Sequence, residues 1–236
     1  MSLTQTPRGP ICIVGTPGHR ELKFARTRLA MLNALLEFLA HRPFAEISIN
    51  EIAGRAGVSY ATFFNYFSRK DDLLHYLIQL WSLELSHAAG SRKGLAGIEE
   101  IFRRTAAQCR KSPAVMAQIV ATMASRPEAA PGGFEPVTRA EKVLWSIDIA
   151  DSKDRTESGI ADIFARLLKE ASAGGEIPRH TDLRSLTEYV TTVFFGVPAA
   201  LGPTNAESFE RMYTSHLSFL WNAIQIAPGP KAKRKR

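Results

Sequence analysis

The chain has 236 residues, of which 45% are hydrophobic and 22% are charged, proportions that are ordinary for a globular protein. Its formal net charge is +7, and its two cysteines, Cys12 and Cys109, lie far apart and match no metal-binding spacing. The longest apolar stretches, such as 190–201, are interrupted by Thr, Gly and Pro and are shorter than the roughly 20 residues of a spanning helix. We therefore expect a cytoplasmic protein with reduced thiols, no metal, no secretory signal and no membrane span.

Positive charge is concentrated towards the two ends of the chain. Residues 1–70 hold nine Lys or Arg against four Asp or Glu, and the tail 231–236 holds five more basic residues. The remaining residues carry 16 basic and 19 acidic side chains. This distribution suits a polyanionic partner such as nucleic acid, although a solvated basic surface would produce the same pattern.

Residues 1–20 are predicted to form a disordered arm because three prolines and three glycines interrupt them. Residues 21–41 then carry apolar side chains at helical spacing, which predicts an amphipathic helix that ends before Pro43. The start of this helix, from Arg26 to Arg28, is expected to be exposed and to meet phosphates.

The segment 47–74, ISINEIAGRAGVSYATFFNYFSRKDDLL, predicts two short helices joined by a tight turn. Ser48 and Glu51 can form a capping box at the start of the first helix. Gly57 can end that helix in a left-handed conformation, which glycine adopts without a side-chain penalty. Ser59 can cap the second helix directly after the turn, so the spacing is that of a helix-turn-helix.

The buried side of the second helix is marked by Phe63 and Phe67, which lie four residues apart. Its other side then carries small, polar and aromatic residues: Tyr60, Ala61, Phe64 and Asn65. A core helix would not normally display Asn and Tyr in this way. Ser68 and Asp71 form a further [ST]-x-x-[DE] pattern, which predicts that a third helix begins at once.

The run GVSYATFFNYFSRKDDL (57–73), preceded by SINEIAGRA (48–56), resembles the DNA-binding segment of the tetracycline-repressor (TetR) family of bacterial transcriptional regulators. The resemblance covers about 27–77, and beyond it only helix lengths and a late GGEIPRHTDL turn fit. One departure is that family members usually carry Tyr where this chain has Phe64, and that hydroxyl commonly meets a phosphate.

The resemblance implies a set of DNA-binding residues by position. Those that would face base edges are Tyr60, Ala61 and Asn65; those that would face phosphates are Ser48, Ser59, Thr62, Tyr66 and Lys70; Asn50 could do either. The chemistry agrees, because Asn65 suits adenine, Ala61 can touch a thymine methyl, and hydroxyls with a lysine suit phosphate oxygens. The alternative for Thr62 and Tyr66 is that they only cap and pack.

The rest of the chain is predicted to be helical almost throughout, with neither alternating strand patterns nor internal repeats. The predicted helices lie at 98–111, 113–124, 137–149, 156–173, 183–201 and 207–226, and the glycines at 90, 94 and 97 mark a join before them. The fold class is therefore all-α. With the resemblance, it has a three-helix helix-turn-helix domain at 21–67, a larger domain for effector binding and dimerisation at 68–227, and a basic disordered tail at 228–236.

The larger domain offers large or soft side chains on helices that should pack around one centre. They are ordinary core in the simplest interpretation. The resemblance implies instead that they line a pocket for a largely apolar or aromatic effector, with Arg103, Arg104 and His87 as the nearest charged options. The candidate pocket residues are His87, Phe102, Cys109, Met116, Met123, Trp145 and Phe164.

No catalytic residues are predicted, because no nucleophile lies beside a base and no phosphate-binding glycine loop is present in the sequence. We therefore expect no enzyme activity and no cofactor. The resemblance implies a nucleoid-associated homodimer that binds a near-palindromic double-stranded DNA operator, favours repression and is released by a small-molecule effector. Its interface is predicted at 156–173 and 183–201, with Gly196 allowing close helix approach. The alternative is a helical protein-interaction module whose helix-turn-helix is structural.

Overall fold

The structure of the protein, a computed structural model, describes residues 17–90, 92–124, 136–145 and 159–226. The predicted arm up to residue 16 and the predicted basic tail lie outside the described residues, as does the side chain of Met123. All regular elements in the described ranges are helical, which confirms the all-α prediction. No helix among them is long and apolar enough to cross a membrane.

The α-helices of the described residues follow one another with short connections, and two 3₁₀ turns, Phe44–Glu46 and Pro203–Ser208, interrupt the series. The helices are α1 (His19–Leu39), α2 (Ile49–Arg55), α3 (Tyr60–Phe64), α4 (Lys70–Gly90), α5 (Gly94–Lys111), α6 (Pro113–Ala124), α7 (Arg139–Leu144), α8 (Ile160–Ala173), α9 (Leu183–Leu201) and α10 (Phe209–Ile226). The bounds of α6 and α9 agree with the predictions residue for residue.

The helices group into two compact units. The first comprises Met1–His87 with Ala114–Thr156, and the second comprises Ala88–Pro113 with Glu157–Arg236. The first unit therefore contains the helix-turn-helix together with α6 and α7, which the sequence alone assigned to the larger domain. The second contains α5, α8, α9 and α10.

The core of the first unit is built on the apolar face of α1, where Leu29, Leu32 and Leu36 are buried. Arg28 shares this face because it lies three or four residues from its buried neighbours, and it is only 3% exposed. The prediction that Arg28 is exposed to meet phosphates is therefore wrong, whereas Arg26 is exposed as expected.

The helix that follows the helix-turn-helix, α4, begins two residues after Ser68, where the sequence predicted its start. The backbone N–H of Arg69 donates to Asp72 Oδ2 at 2.9 Å, and α4 starts at Lys70. The carboxylate of Asp72, rather than that of Asp71, thus accepts the hydrogen bond from the backbone N–H of Arg69, the residue before α4. Both acidic residues lie in the first turn, where they also complement the helix dipole.

The core of the second unit is a cluster of aromatic rings contributed by α5, α8, α9 and α10. The ring centroids of Phe102 and Tyr213 lie 4.7 Å apart, and those of Phe164 and Phe194 lie 5.4 Å apart. All four side chains are at most 2% exposed. Edge-to-face pairs of this kind stabilise a core beyond the area they bury.

Gly97 lies inside α5, whereas the sequence predicted it to mark a join before the following helices. A Cβ added there would lie 2.7 Å from Leu167 Cδ2 and 2.8 Å from the backbone oxygen of Arg92. The glycine is therefore required for the close approach of α5 and α8, a long-range contact that the local sequence does not reveal. Gly94 has φ +57°, and its predicted role at a break in the chain agrees with its place at the start of α5.

Pro198 lies inside α9 and lacks the N–H that would donate to the carbonyl of Phe194, four residues earlier. The hydroxyl of Tyr213 on α10 donates to that carbonyl at 2.7 Å. Burial raises the pKa of the Tyr213 phenol, which keeps it a donor. A hydrogen bond lost within α9 is thus replaced by one from α10.

Candidate nucleic-acid interface

The first helix of the candidate interface, α2, begins with the predicted capping box. The N–H of Glu51 donates to Ser48 Oγ at 3.2 Å, and the N–H of Ser48 donates to Glu51 Oε2 at 2.9 Å. Hydrogen bonds from the backbone and side chain of Ser48, and then from Arg42, lower the pKa of Glu51 to about 2. The carboxylate therefore stays charged, and the cap closed, well below neutral pH.

The turn after α2 ends the helix as the sequence predicts. Gly57 has φ +71°, its N–H donates to the carbonyl of Gly54 at 3.2 Å, and the N–H of Val58 donates to that of Ala53 at 2.9 Å. These two bonds form a Schellman motif. They fix the direction in which the chain leaves α2 and hence the angle of α3.

The second helix, α3, is capped by Ser59, whose Oγ accepts from the N–H of Thr62 at 3.1 Å. The two hydroxyl oxygens lie 2.7 Å apart, so Thr62 takes part in the cap as well as lying on the candidate surface. Phe63 is fully buried and anchors the helix. The residues predicted to face base edges, Tyr60, Ala61 and Asn65, are all exposed.

Asn65 lies one residue beyond the helix, with a right-handed helical backbone. Ser48 and Asn50 are exposed near the start of α2, so both are open to a DNA backbone or groove. Tyr66 is half-buried, and its ring packs on that of Phe24 with centroids 4.9 Å apart. The ring of Tyr66 therefore packs within the protein, as the alternative interpretation predicted. Only its hydroxyl could contact a phosphate.

Lys70 has a structural role that the sequence does not show. Its Nζ donates to the carbonyls of Phe44 at 2.7 Å and Ile47 at 2.8 Å, and lies 4.2 Å from the centre of the Phe44 ring. These contacts fasten the start of α4 to the connection between α1 and α2. Only the third N–H of the Lys70 ammonium is left to donate a hydrogen bond to a phosphate.

A buried ion pair in the first unit was also missed by the sequence predictions. Arg28 Nη1 lies 3.0 Å from Glu141 Oε1, and the two side chains are 4% and 0% exposed. The guanidinium carbon lies 4.1 Å from the ring centre of Tyr76 and 5.0 Å from that of Phe67. Burial, and then the Glu141 carboxylate, raise the pKa of the Tyr76 phenol.

Glu141 also caps α7, since its Oε2 accepts from the N–H of Thr138 at 2.6 Å and its own N–H donates to Thr138 Oγ1 at 3.3 Å. The sequence did contain a signal for this cap, the pattern Thr138-x-x-Glu141. It contained no signal that the same carboxylate would meet Arg28 on α1.

The candidate effector residues divide between the two units. Phe102, Cys109 and Phe164 belong to the core of the second unit, where burial raises the pKa of the Cys109 thiol to about 12. Such a thiol is unreactive at neutral pH. The remaining described candidates, His87, Met116 and Trp145, belong to the first unit.

A cavity of about 450 Å³ lies between α5 and α10 of the second unit. Of the candidate effector residues, it is lined by Phe102 alone. Arg103, suggested above for a polar group, also lines it, but its Nη2 donates to Glu100 Oε1 at 2.7 Å. The remaining wall residues include Tyr213, Leu217 and Trp221.

Residues 31–77 match the sequence model of a family described as bacterial regulatory proteins, tetR family. Similar solved structures include Salmonella enterica GusR (TM-score 0.54, 18% identity, covering 84% of this chain and 95% of that chain). A Rhodococcus sp. protein described as a TetR-family transcriptional regulator has a TM-score of 0.55 at 18% identity, covering 85% and 98%. A tetR family transcription regulator from Shewanella sp. PV-4 has 0.51 at 18%, covering 84% and 97%. No curated protein matches the sequence.

The described fold, which is all-helical with an N-terminal helix-turn-helix and a larger helical region, is similar to the folds of these structures. The matched segment contains α2, α3 and the first part of α4, where the capping residues and exposed polar positions lie. Residues 31–77 are thus similar to the bacterial regulatory proteins of the tetR family, in the segment where the sequence resemblance was found, which confirms that resemblance.

Proposed function

We propose that the protein is a homodimeric, ligand-responsive repressor that binds a near-palindromic DNA operator and is released by a small-molecule effector. The observation that carries the proposal is the geometry of α3, a helix anchored by Phe63 whose outer side presents Tyr60, Ala61 and Asn65. Phosphate contacts would supply most of the affinity, and these side chains would supply the discrimination.

The test begins with duplexes enriched from a random DNA library by the full-length protein. Asn65→Ala is expected to lower affinity for the enriched duplex by about 1–3 kcal/mol and to change affinity for random DNA little. Asn65 is exposed beyond the end of α3, so the substitution should leave folding intact. Fluorescence anisotropy at several salt concentrations measures both affinities.

An equal loss of affinity on both DNAs would remove Asn65 from base recognition. If the wild-type chain enriched no sequence and showed no salt-dependent DNA binding, the helix-turn-helix would be structural. The protein-interaction alternative would then replace the proposed function.

We place the dimer interface on α9 and α10. Tyr189 on α9 and Phe219 and Ile226 on α10 are 64%, 78% and 81% exposed, which is costly for large apolar side chains. Gly196 on α9 has no atom within 4 Å of an added Cβ, which leaves space for a second helix. The apolar face of α8 is already buried within its own unit. We therefore propose that α10, rather than the predicted segment 156–173, forms the interface together with α9.

Phe219→Glu is expected to raise the dimer dissociation constant at least about ten-fold, because a two-fold interface would bury two unpaired carboxylates. Ala165→Glu, on the exposed side of α8, is the matched control and should leave the dimer intact. Sedimentation at several concentrations distinguishes the variants. Dissociation by Ala165→Glu alone would return the interface to α8, and a monomeric wild type would exclude dimerisation.

We propose that the effector is largely apolar or aromatic and enters the cavity between α5 and α10. Its volume lies within the range of about 300–1,000 Å³ typical of small-ligand sites. Its apolar and aromatic lining residues are Phe102, Tyr213, Leu217 and Trp221, and the charged residues Glu99, Arg103 and Glu210 also line it. To release DNA, the effector must favour one conformation, and about 1–3 kcal/mol of coupling is typical.

A panel of hydrophobic and polyanionic compounds tests the effector proposal by thermal shift and by release of bound DNA. Hydrophobic compounds are expected to raise the melting temperature, and Trp221→Ala should reduce that shift because it removes one wall of the cavity. Stabilisation by polyanionic compounds alone would contradict an apolar site. An unchanged shift in Trp221→Ala would place the site elsewhere.

A further inference from the structure

Two large aromatic side chains are exposed on α3, which is only five residues long. Tyr60 is 52% exposed and Phe64 is 42% exposed, whereas Phe63 between them is fully buried. Phe64 was not among the predicted DNA-binding residues. The exposed rings lie next to the residues of the candidate interface, so they are candidates for a contact with the same partner.

The two rings form a fixed pair. Their centroids lie 5.1 Å apart at an interplanar angle of 69°, and Phe64 also meets the buried ring of Phe63 at 5.5 Å and 76°. Phe63 in turn meets Phe67 at 5.8 Å. Because the core holds the pair in place, little side-chain entropy would be lost when it binds a partner.

The chemistry of the segment 57–67 restricts what the pair could recognise. The segment contains no charged residue, so it cannot supply the bidentate Arg or Lys contact that identifies guanine. The ring of Phe64 neither donates nor accepts a conventional hydrogen bond. On the major-groove edges of the bases, the apolar group that distinguishes one base pair from another is the 5-methyl of thymine.

We propose that the paired rings of Tyr60 and Phe64 read thymine methyl groups in the major groove of each operator half-site. With Asn65 suited to adenine, the positions that α3 reads are A·T pairs. This inference rests on the proposed DNA-binding function and adds the kind of base that the exposed rings select.

The experiment compares duplexes enriched by the full-length protein with copies in which each thymine in turn is replaced by deoxyuridine. The replacement removes only a methyl group. Wild-type affinity is expected to fall about four-fold at one or two thymines per half-site, the amount expected for one buried methyl group. Replacing such a T·A pair by C·G should also weaken binding, and 5-methylcytosine there should restore part of it.

Phe64→Ala and Tyr60→Ala are expected to bind the thymine and deoxyuridine duplexes equally. Asn65→Ala is the matched control on the same surface, since it should weaken binding to both duplexes and keep the four-fold difference. Circular dichroism establishes that each variant is folded. The wild-type comparison needs no variant and therefore tests the inference even if one of them unfolds.

Specific binding with no thymine position sensitive to deoxyuridine would overturn the inference and leave the proposed function standing. The inference would also fail if the deoxyuridine effect persisted in both aromatic variants, and its disappearance in Ala61→Gly would then show that Ala61 reads the methyl. Failure of the wild type to bind any DNA specifically would instead overturn the proposed function itself.

Discussion

Glu141→Ala is expected to lower the free energy of unfolding of the first unit by about 3–5 kcal/mol. In the wild type Arg28 is 3% exposed, its guanidinium lies among the rings of Tyr76 and Phe67, and the Glu141 carboxylate is 3.0 Å away. The substitution removes that carboxylate and leaves the buried positive charge in place. It also removes the acceptor for the N–H of Thr138 and so opens the cap of α7. Urea unfolding followed by circular dichroism measures the loss.

Two further variants separate the charge from the cap. Glu141→Gln keeps an oxygen that can accept from the Thr138 N–H but removes the negative charge. It should therefore show most of the stability loss that is expected for Glu141→Ala. The double substitution of Arg28→Met with Glu141→Leu removes both buried charges and should recover much of the loss. A loss below about 1 kcal/mol for Glu141→Ala would show that water or rearrangement compensates Arg28.

Lys70→Met is expected to cost about 2–3 kcal/mol of stability, because it removes two charge-assisted hydrogen bonds and a cation–π contact while keeping the apolar stem. The carbonyls of Phe44 and Ile47 would lose the ammonium that joins them to α4. Arg69→Met is the matched control, since it removes a neighbouring positive charge at an exposed position. Thermal unfolding in the absence of DNA measures this effect alone.

The same two variants test the DNA-binding role of Lys70. At a temperature where both are folded, a phosphate contact through the third N–H predicts that Lys70→Met weakens enriched and random DNA about equally. Affinity no weaker than that of Arg69→Met would leave Lys70 with a structural role only. Unchanged stability would instead show that the two carbonyl contacts contribute little.

The sequence predicted those parts of the fold that depend on residues a few positions apart. The capping box of Ser48 and Glu51, the left-handed Gly57 and the Ser59 cap are local interactions, and all are present. The bounds of α9 were also predicted, and the structure shows that Asp182 caps its start and Gly202 follows its end. Local hydrogen bonding and glycine chemistry are sufficient for such features.

The missed features depend on contacts between distant parts of the chain. Helical spacing puts Arg28 on the apolar face of α1, but only Glu141, more than a hundred residues later, explains how its charge is compensated there. Lys70 likewise fits a phosphate-facing position in the sequence, although its ammonium is bound to carbonyls that precede α2. Its structural role could not be read from residue type and spacing.

The sequence predicted the positions of the candidate DNA-binding residues better than those of the candidate effector residues. Ala61 and Asn65 lie four residues apart, so helical spacing predicts their common exposure, whereas the base-facing position of Tyr60 came from the family resemblance. The effector candidates lie on several helices, and periodicity predicts that Phe102 and Phe164 face inward but not which rings they meet. Their neighbours Phe194 and Tyr213 were found only in the folded chain.

The bond from Tyr213 to the carbonyl of Phe194 makes the folding of α9 depend on its neighbour. Pro198 has no N–H to donate to that carbonyl, and the hydroxyl that does so belongs to α10, so the docking of α10 adds a hydrogen bond to α9. The two helices should therefore open together in native-state hydrogen exchange, as one cooperative segment. A partner that docks on Tyr189 and Phe219 would consequently slow exchange along both helices, including positions it never touches.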